Sequence, residues 1–197
     1  KNLDIDKIAV VGHSAGGYTA LAVAGGIPDT THIIDLCLSN SQINEYFCGL
    51  VKENETEKVK IENSHDQRIK AIVLMAPVGI LFNSSNSLNM VDIPALLIRA
   101  EKDAELIEPY HAEVIAKNYK NRELLTYCTV PNAGHYSFIT PFPESMKSEL
   151  GVVAEDPHGF DRDTFHELLS SDIVNFLDHA LNSKHNKKLQ PTSCLGG

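Results

Sequence analysis

Ile8-Ala-Val-Val-Gly-His-Ser-Ala-Gly-Gly-Tyr-Thr-Ala-Leu21 is the stretch on which the reading of this chain turns. Ile8 to Val11 is a short apolar, β-branched run that stops at Gly12, the pattern of a buried strand. Ala15 to Gly25 is rich in Ala and Leu and predicts a helix, closed by Gly25-Gly26 and Pro28. Between the two, Ser14 stands in a Gly-x-Ser-x-Gly run. A nucleophilic serine has to stand clear of a sheet on a sharp strand-to-helix turn, with small neighbours so that strand and helix can approach. Ala15, Gly16 and Gly17 supply them. Ser14 is the candidate nucleophile and the Ala15 N–H a candidate oxyanion donor. The competing reading is a glycine-rich turn that happens to hold a serine.

Outward from this turn, three further apolar runs predict buried strands: Ile69 to Ala76, stopped by Pro77; Ala95 to Ala100, preceded by Pro94; and Leu124 to Val130, stopped by Pro131. Helical spacing runs from Ile107 to Lys117. From Thr164 to Leu181 a 3.6-residue period places Phe165, Leu168, Leu169, Ile173, Phe176, Leu177 and Leu181 on one face, with Asp163 as the expected N-cap. Asp29 to about Asp66 reads as a surface excursion holding one or two short helices. The charge run from Lys52 to Glu62 reads as a solvated face, and Asn83 to Ser87 as a loop. Strands alternating with helices imply an α/β domain with a mainly parallel sheet covered on both faces. It spans 1–182, with a polar tail over 183–197.

A serine on such a turn is followed in chain order by an acid and then a histidine. Asp103 lies just past the third strand, and His135 just past the fourth, after Gly134, which permits a tight loop. Asp103 would hold the imidazole in the right tautomer, and His135 would carry the proton. Glu101, Glu105 and Glu108 compete with Asp103, and Glu101 comes sooner after the strand. His158 and His166 lack the strand-loop context. His13 is expected to pack beneath or beside the turn, because adjacent side chains diverge. Pro77, Val78, Tyr136 and Phe138 lie where ligands bind in open α/β sheets and are the candidate pocket; Leu81 and Phe82 read equally well as pocket or core.

The remaining composition excludes more than it proposes. The 197 residues allow one domain with a real core, and the net charge of -9 argues against a nucleic-acid partner. No apolar run approaches the roughly 20 residues of a membrane span. No metal, nucleotide or phosphate-loop motif is present, so no cofactor is expected. Four cysteines fit no zinc template; Cys37 and Cys48 either close a short disulfide loop or stay as thiols.

Six segments carry a family resemblance: Gly-His-Ser-Ala-Gly-Gly-Tyr-Thr-Ala-Leu (12–21), Arg-Ile-Lys-Ala-Ile-Val-Leu-Met-Ala-Pro-Val-Gly (68–79), Glu-Lys-Asp (101–103), Pro-Tyr-His-Ala-Glu (109–113), Ala-Gly-His-Tyr-Ser-Phe (133–138) and Gly-Phe-Asp-Arg-Asp-Thr-Phe-His (159–166). Together they resemble the dienelactone-hydrolase-like α/β-hydrolases, relatives of the platelet-activating-factor acetylhydrolase-like esterases. The resemblance implies an α/β-hydrolase fold entered at its fifth strand, lacking the N-terminal strands, with Ser14, Asp103 and His135 as the triad. A second oxyanion donor would then lie before Lys1. True dienelactone hydrolases use a cysteine, so the substrate is not implied beyond a small-molecule ester. A lipase- or phospholipase-like acyl hydrolase and an inactive truncated hydrolase are the alternatives; compartment and oligomeric state are left open.

Overall fold

A computed structural model describes residues 3–30, 33, 37, 48 and 64–182. The sheet has four parallel strands in the order β1 (Ile8–His13), β2 (Ile69–Met75), β3 (Ala95–Ala100) and β4 (Leu125–Val130). Each strand is a β-branched or leucine-rich run bounded by glycine, proline or polar residues; β2 and β3 are buried on both faces, whereas the outer strands β1 and β4 are partly exposed. The pleat sorts the side chains by alternation. Ile72, Leu74, Ala95 and Leu97 face one side, where they meet Ala20, Leu21 and Ala24 at α1 (Ala15–Val23) and Ala112, Ile115, Ala116 and Tyr119 at α2 (Ala112–Asn118). Ala71, Val73, Leu96, Ile98, Ala100, Cys128 and Val130 face the other side, against Phe165, Leu169 and Phe176 of α4 (Arg162–Asn182). Helices therefore cover both faces, and the α/β class with a parallel sheet is established. β1 and β4 are the edge strands among the described residues, and the apolar Val11 of β1 is 45% exposed.

Several boundaries differ from expectation for local reasons. The Ile107–Lys117 pattern becomes helical only at Ala112: Pro109 has no N–H, and the Glu108 carboxylate instead accepts the N–H groups of His111, Ala112 and Glu113. α4 begins at Arg162. Its capping carboxylate is Asp161, which accepts from Thr164 N–H (3.1 Å) and Thr164 Oγ1 (2.7 Å), not Asp163. A short helix, α3 (Glu144–Leu150), has no counterpart in the sequence pattern; none of its residues is buried, so it carries no apolar stripe. Cys37 and Cys48 form a disulfide, and Cys128 is also disulfide-bonded. The expected charge run and polar tail, and most of the 29–66 excursion, lie outside the described residues. Among the described residues, no helix is long and apolar enough to cross a membrane, and no cluster of three His, Cys, Asp or Glu could hold a metal.

Candidate active site

Parallel strands deliver all their following loops to one edge of the sheet. Ser14 follows β1, Asp103 follows β3 and His135 follows β4, so residues 121 positions apart meet. His135 Nε2 lies 2.9 Å from Ser14 Oγ, and His135 Nδ1 lies 2.8 Å from Asp103 Oδ2. The carboxylate can only accept, so Nδ1 carries the proton and Nε2 is left to accept from the Ser14 hydroxyl. The side chains of His135 and Asp103 are each 6% exposed. Asp103 Oδ1 accepts the N–H groups of Glu105 (3.0 Å) and Leu106 (2.8 Å), which fixes which oxygen faces the imidazole.

The turn that lifts Ser14 is strained. Its φ of 55° and ψ of -118° are a left-handed conformation that side-chain-bearing residues rarely adopt; such a residue costs on the order of 1–3 kcal/mol and persists only where its surroundings over-determine it. Here they do: Ser14 N–H donates to Met75 O (3.0 Å), and Ser14 O accepts from Gly17, Tyr18 and Val78 N–H groups. The small residues have distinct reasons. A Cβ on Gly12 would fall 2.1 Å from Gly16 O, and one on Gly17 2.5 Å from the Pro77 Cβ. A Cβ on Gly16 would meet nothing within 4 Å, so close approach does not explain that glycine. Ala15 opens α1, and its N–H has no intrahelical acceptor, which leaves it free to act on a developing oxyanion.

The competing acids have other duties. Glu101 Oε2 accepts Asn132 N–H (2.8 Å) and so ties the β3 loop to the loop that carries His135. Glu108 caps α2, and burial pushes its carboxyl above the ordinary value despite its three backbone donors. Glu105 lines the cleft in front of Ser14.

That cleft encloses about 680 Å³ and is lined by Tyr18, Val78, Leu81, Leu106, Tyr136 and Ile139 besides His13, Ser14, Ala15, Glu105 and His135. Of the four expected pocket residues, Val78 and Tyr136 are in the lining. Pro77 and Phe138 are not. Pro77 backs against Gly17, and Phe138 is buried between His13 (ring centroids 6.0 Å) and Phe165 (5.4 Å), in the core below the triad. Leu81 lines the cleft, whereas Phe82 is buried against Tyr18.

Four supporting residues carry little sequence signal. His13 Nε2 lies 2.9 Å from the His135 carbonyl oxygen, which can only accept, so His13 donates and its proton sits on Nε2. Burial, then the neighbouring His135, holds its pKa below the usual value. A neutral ring therefore props the base loop without adding a second positive charge beside it. Behind His135, Ser137 Oγ accepts Gly134 N–H and donates to Asp156 Oδ1 (2.8 Å). Asp156 in turn accepts from buried Arg162 Nε (2.8 Å), whose remaining nitrogens reach the Val153 and Glu155 carbonyls. His158 contributes only its carbonyl, to Asn132, and His166 Nε2 meets the Ser137 carbonyl.

No protein-family model matches the chain, and a search of curated proteins found no match.

Proposed function

We propose that this chain is a serine hydrolase of the α/β-hydrolase type, which cleaves carboxylic esters through an acyl-enzyme. The observation that carries the reading is the unbroken hydrogen-bond series Ser14 Oγ–His135–Asp103, set on a strained turn at the carboxyl edge of a parallel sheet. His135 Nε2 takes the Ser14 proton as Oγ bonds to the ester carbonyl carbon, and Ala15 N–H donates to the oxygen that gains the charge. The carbonyl re-forms as the carbon–oxygen bond to the alcohol breaks, and His135 returns the proton to the departing oxygen. Water then repeats the sequence on the acyl-Ser14 and releases the carboxylic acid. The apolar walls supplied by Val78, Leu81, Leu106 and Ile139 support an uncharged acyl chain.

The test is hydrolysis of p-nitrophenyl butyrate by the wild type and the Ser14→Ala variant. The expected result is a burst of p-nitrophenolate, equal to the enzyme present, and a loss of at least about a thousandfold in the variant. Equal rates in the two proteins would refute the reading.

A further inference from the structure

We propose that the Cys37–Cys48 disulfide determines acyl-chain specificity by bracing the wall on which the substrate's acyl group lies; this rests on the ester-hydrolase reading above. The disulfide packs against a buried cluster formed by Ile33, Val78, Ile80 and Leu106. Two of these four, Val78 and Leu106, also line the cleft in front of Ser14. Tyr18 and Leu81 do the same: both line the cleft, and both pack against the cluster that the disulfide covers. Most of the apolar lining therefore has the disulfide-bearing cluster behind it.

The same residues are tied to the triad by their backbones. Val78 N–H donates to Ser14 O at 3.1 Å, Tyr18 N–H to the same oxygen at 3.3 Å, and Leu106 N–H to Asp103 Oδ1 at 2.8 Å. These directional bonds fix where the wall begins, next to the reacting serine. Its side chains are positioned by packing, which has no direction of its own and yields when the atoms behind it are lost. A covalent link between residues 11 positions apart restricts that yielding. Cys37 and Cys48 are thus positioning residues. Losing their bond loosens the far part of the pocket, where a long acyl chain lies, more than the near part, where an acetyl group lies.

The experiment measures p-nitrophenyl octanoate and p-nitrophenyl acetate with the wild type, the double variant Cys37→Ala/Cys48→Ala, and Cys128→Ala. Substitution is preferred to a reductant because Cys128 is disulfide-bonded too; it packs on the α4 side of the sheet and does not line the cleft, so its variant controls for general destabilisation. The readout is the octanoate-to-acetate ratio of kcat/KM within each protein, which does not depend on how much of a variant folds. The ratio is expected to exceed one in the wild type and in Cys128→Ala. In the double variant it should fall at least about fourfold, the equivalent of one methylene group losing its wall, through a higher KM for the octanoate. A wild-type ratio at or below one, a ratio unchanged in the double variant, or an equal fall in Cys128→Ala overturns the proposal. Binding of octanamide, followed by titration calorimetry, separates this result from the parent reading. Binding that weakens at least about fourfold in the double variant supports the brace even if neither ester turns over, in which case the hydrolase reading alone falls. Equal binding by the wild type and the double variant, or binding by neither, overturns the brace.

Discussion

Replacing Asp103 by Asn gives the most informative single perturbation, because the structure dictates how the amide must sit. Asp103 Oδ1 accepts two backbone N–H groups, from Glu105 and Leu106, at 3.0 and 2.8 Å. An amide nitrogen cannot accept them, so in Asp103→Asn the carbonyl oxygen takes that position and the NH2 turns toward His135 Nδ1. Nδ1 must then accept, which moves the imidazole proton to Nε2, pointing at Ser14 Oγ 2.9 Å away. The base is present, correctly placed and in the wrong tautomer. A loss of about 10⁴ in kcat, equivalent to about 5 kcal/mol of transition-state stabilisation, is expected. Because every backbone bond to the side chain survives, the urea midpoint should move little. The assay pairs p-nitrophenyl butyrate turnover with urea unfolding of the same preparation. A variant that keeps more than a tenth of the activity would refute the role of Asp103, and one that is inactive because it unfolds would refute the argument from its two backbone partners.

Gly12→Ala should destabilise by more than the roughly 1–3 kcal/mol of ordinary overpacking, since its Cβ would meet backbone at 2.1 Å, whereas Gly16→Ala should leave the thermal midpoint level or higher. Arg162→Met should cost about 3–5 kcal/mol in urea unfolding by stranding the largely buried Asp156, and adding Asp156→Asn should recover part of it. His111 is held neutral by burial, which lowers its pKa to about 4. Only the unfolded chain takes up the proton between pH 6.5 and 4, so stability should fall by about 3 kcal/mol as pH drops through that window, and unfolding curves of a His111→Gln variant should lack this component.

Strands and triad are readable in the sequence because each leaves a contiguous mark. A strand of a covered parallel sheet is a short, largely apolar or β-branched run, and the triad residues lie just after three such runs, β1, β3 and β4. What is not readable depends on contacts between distant segments. Arg162 and Asp163 look alike at the start of a helix, yet Arg162 is buried on Asp156 and the Val153 and Glu155 carbonyls. Phe138 and Tyr136 flank His135 closely in sequence, but the short helical turn over His135–Phe138 sends one into the core and the other into the cleft. Periodicity misplaces the start of α2 at Ile107 because it continues back through Pro109, which has no N–H, and His111, whose N–H goes to the Glu108 side chain that caps the helix. Glu105 is visible in the sequence only as a rival acid; its place in the cleft follows from the turn that Asp103 closes.

Activation of the Ser14 hydroxyl by His135 is the claim on which the proposed chemistry stands. Incubation with a fluorophosphonate, followed by intact-mass measurement and peptide mapping, tests it directly. One adduct per chain on Ser14, formed at a rate that collapses in a His135→Ala variant, is the predicted result. No adduct, an adduct on another residue, or labelling of Ser14 at the same rate without His135 would contradict it.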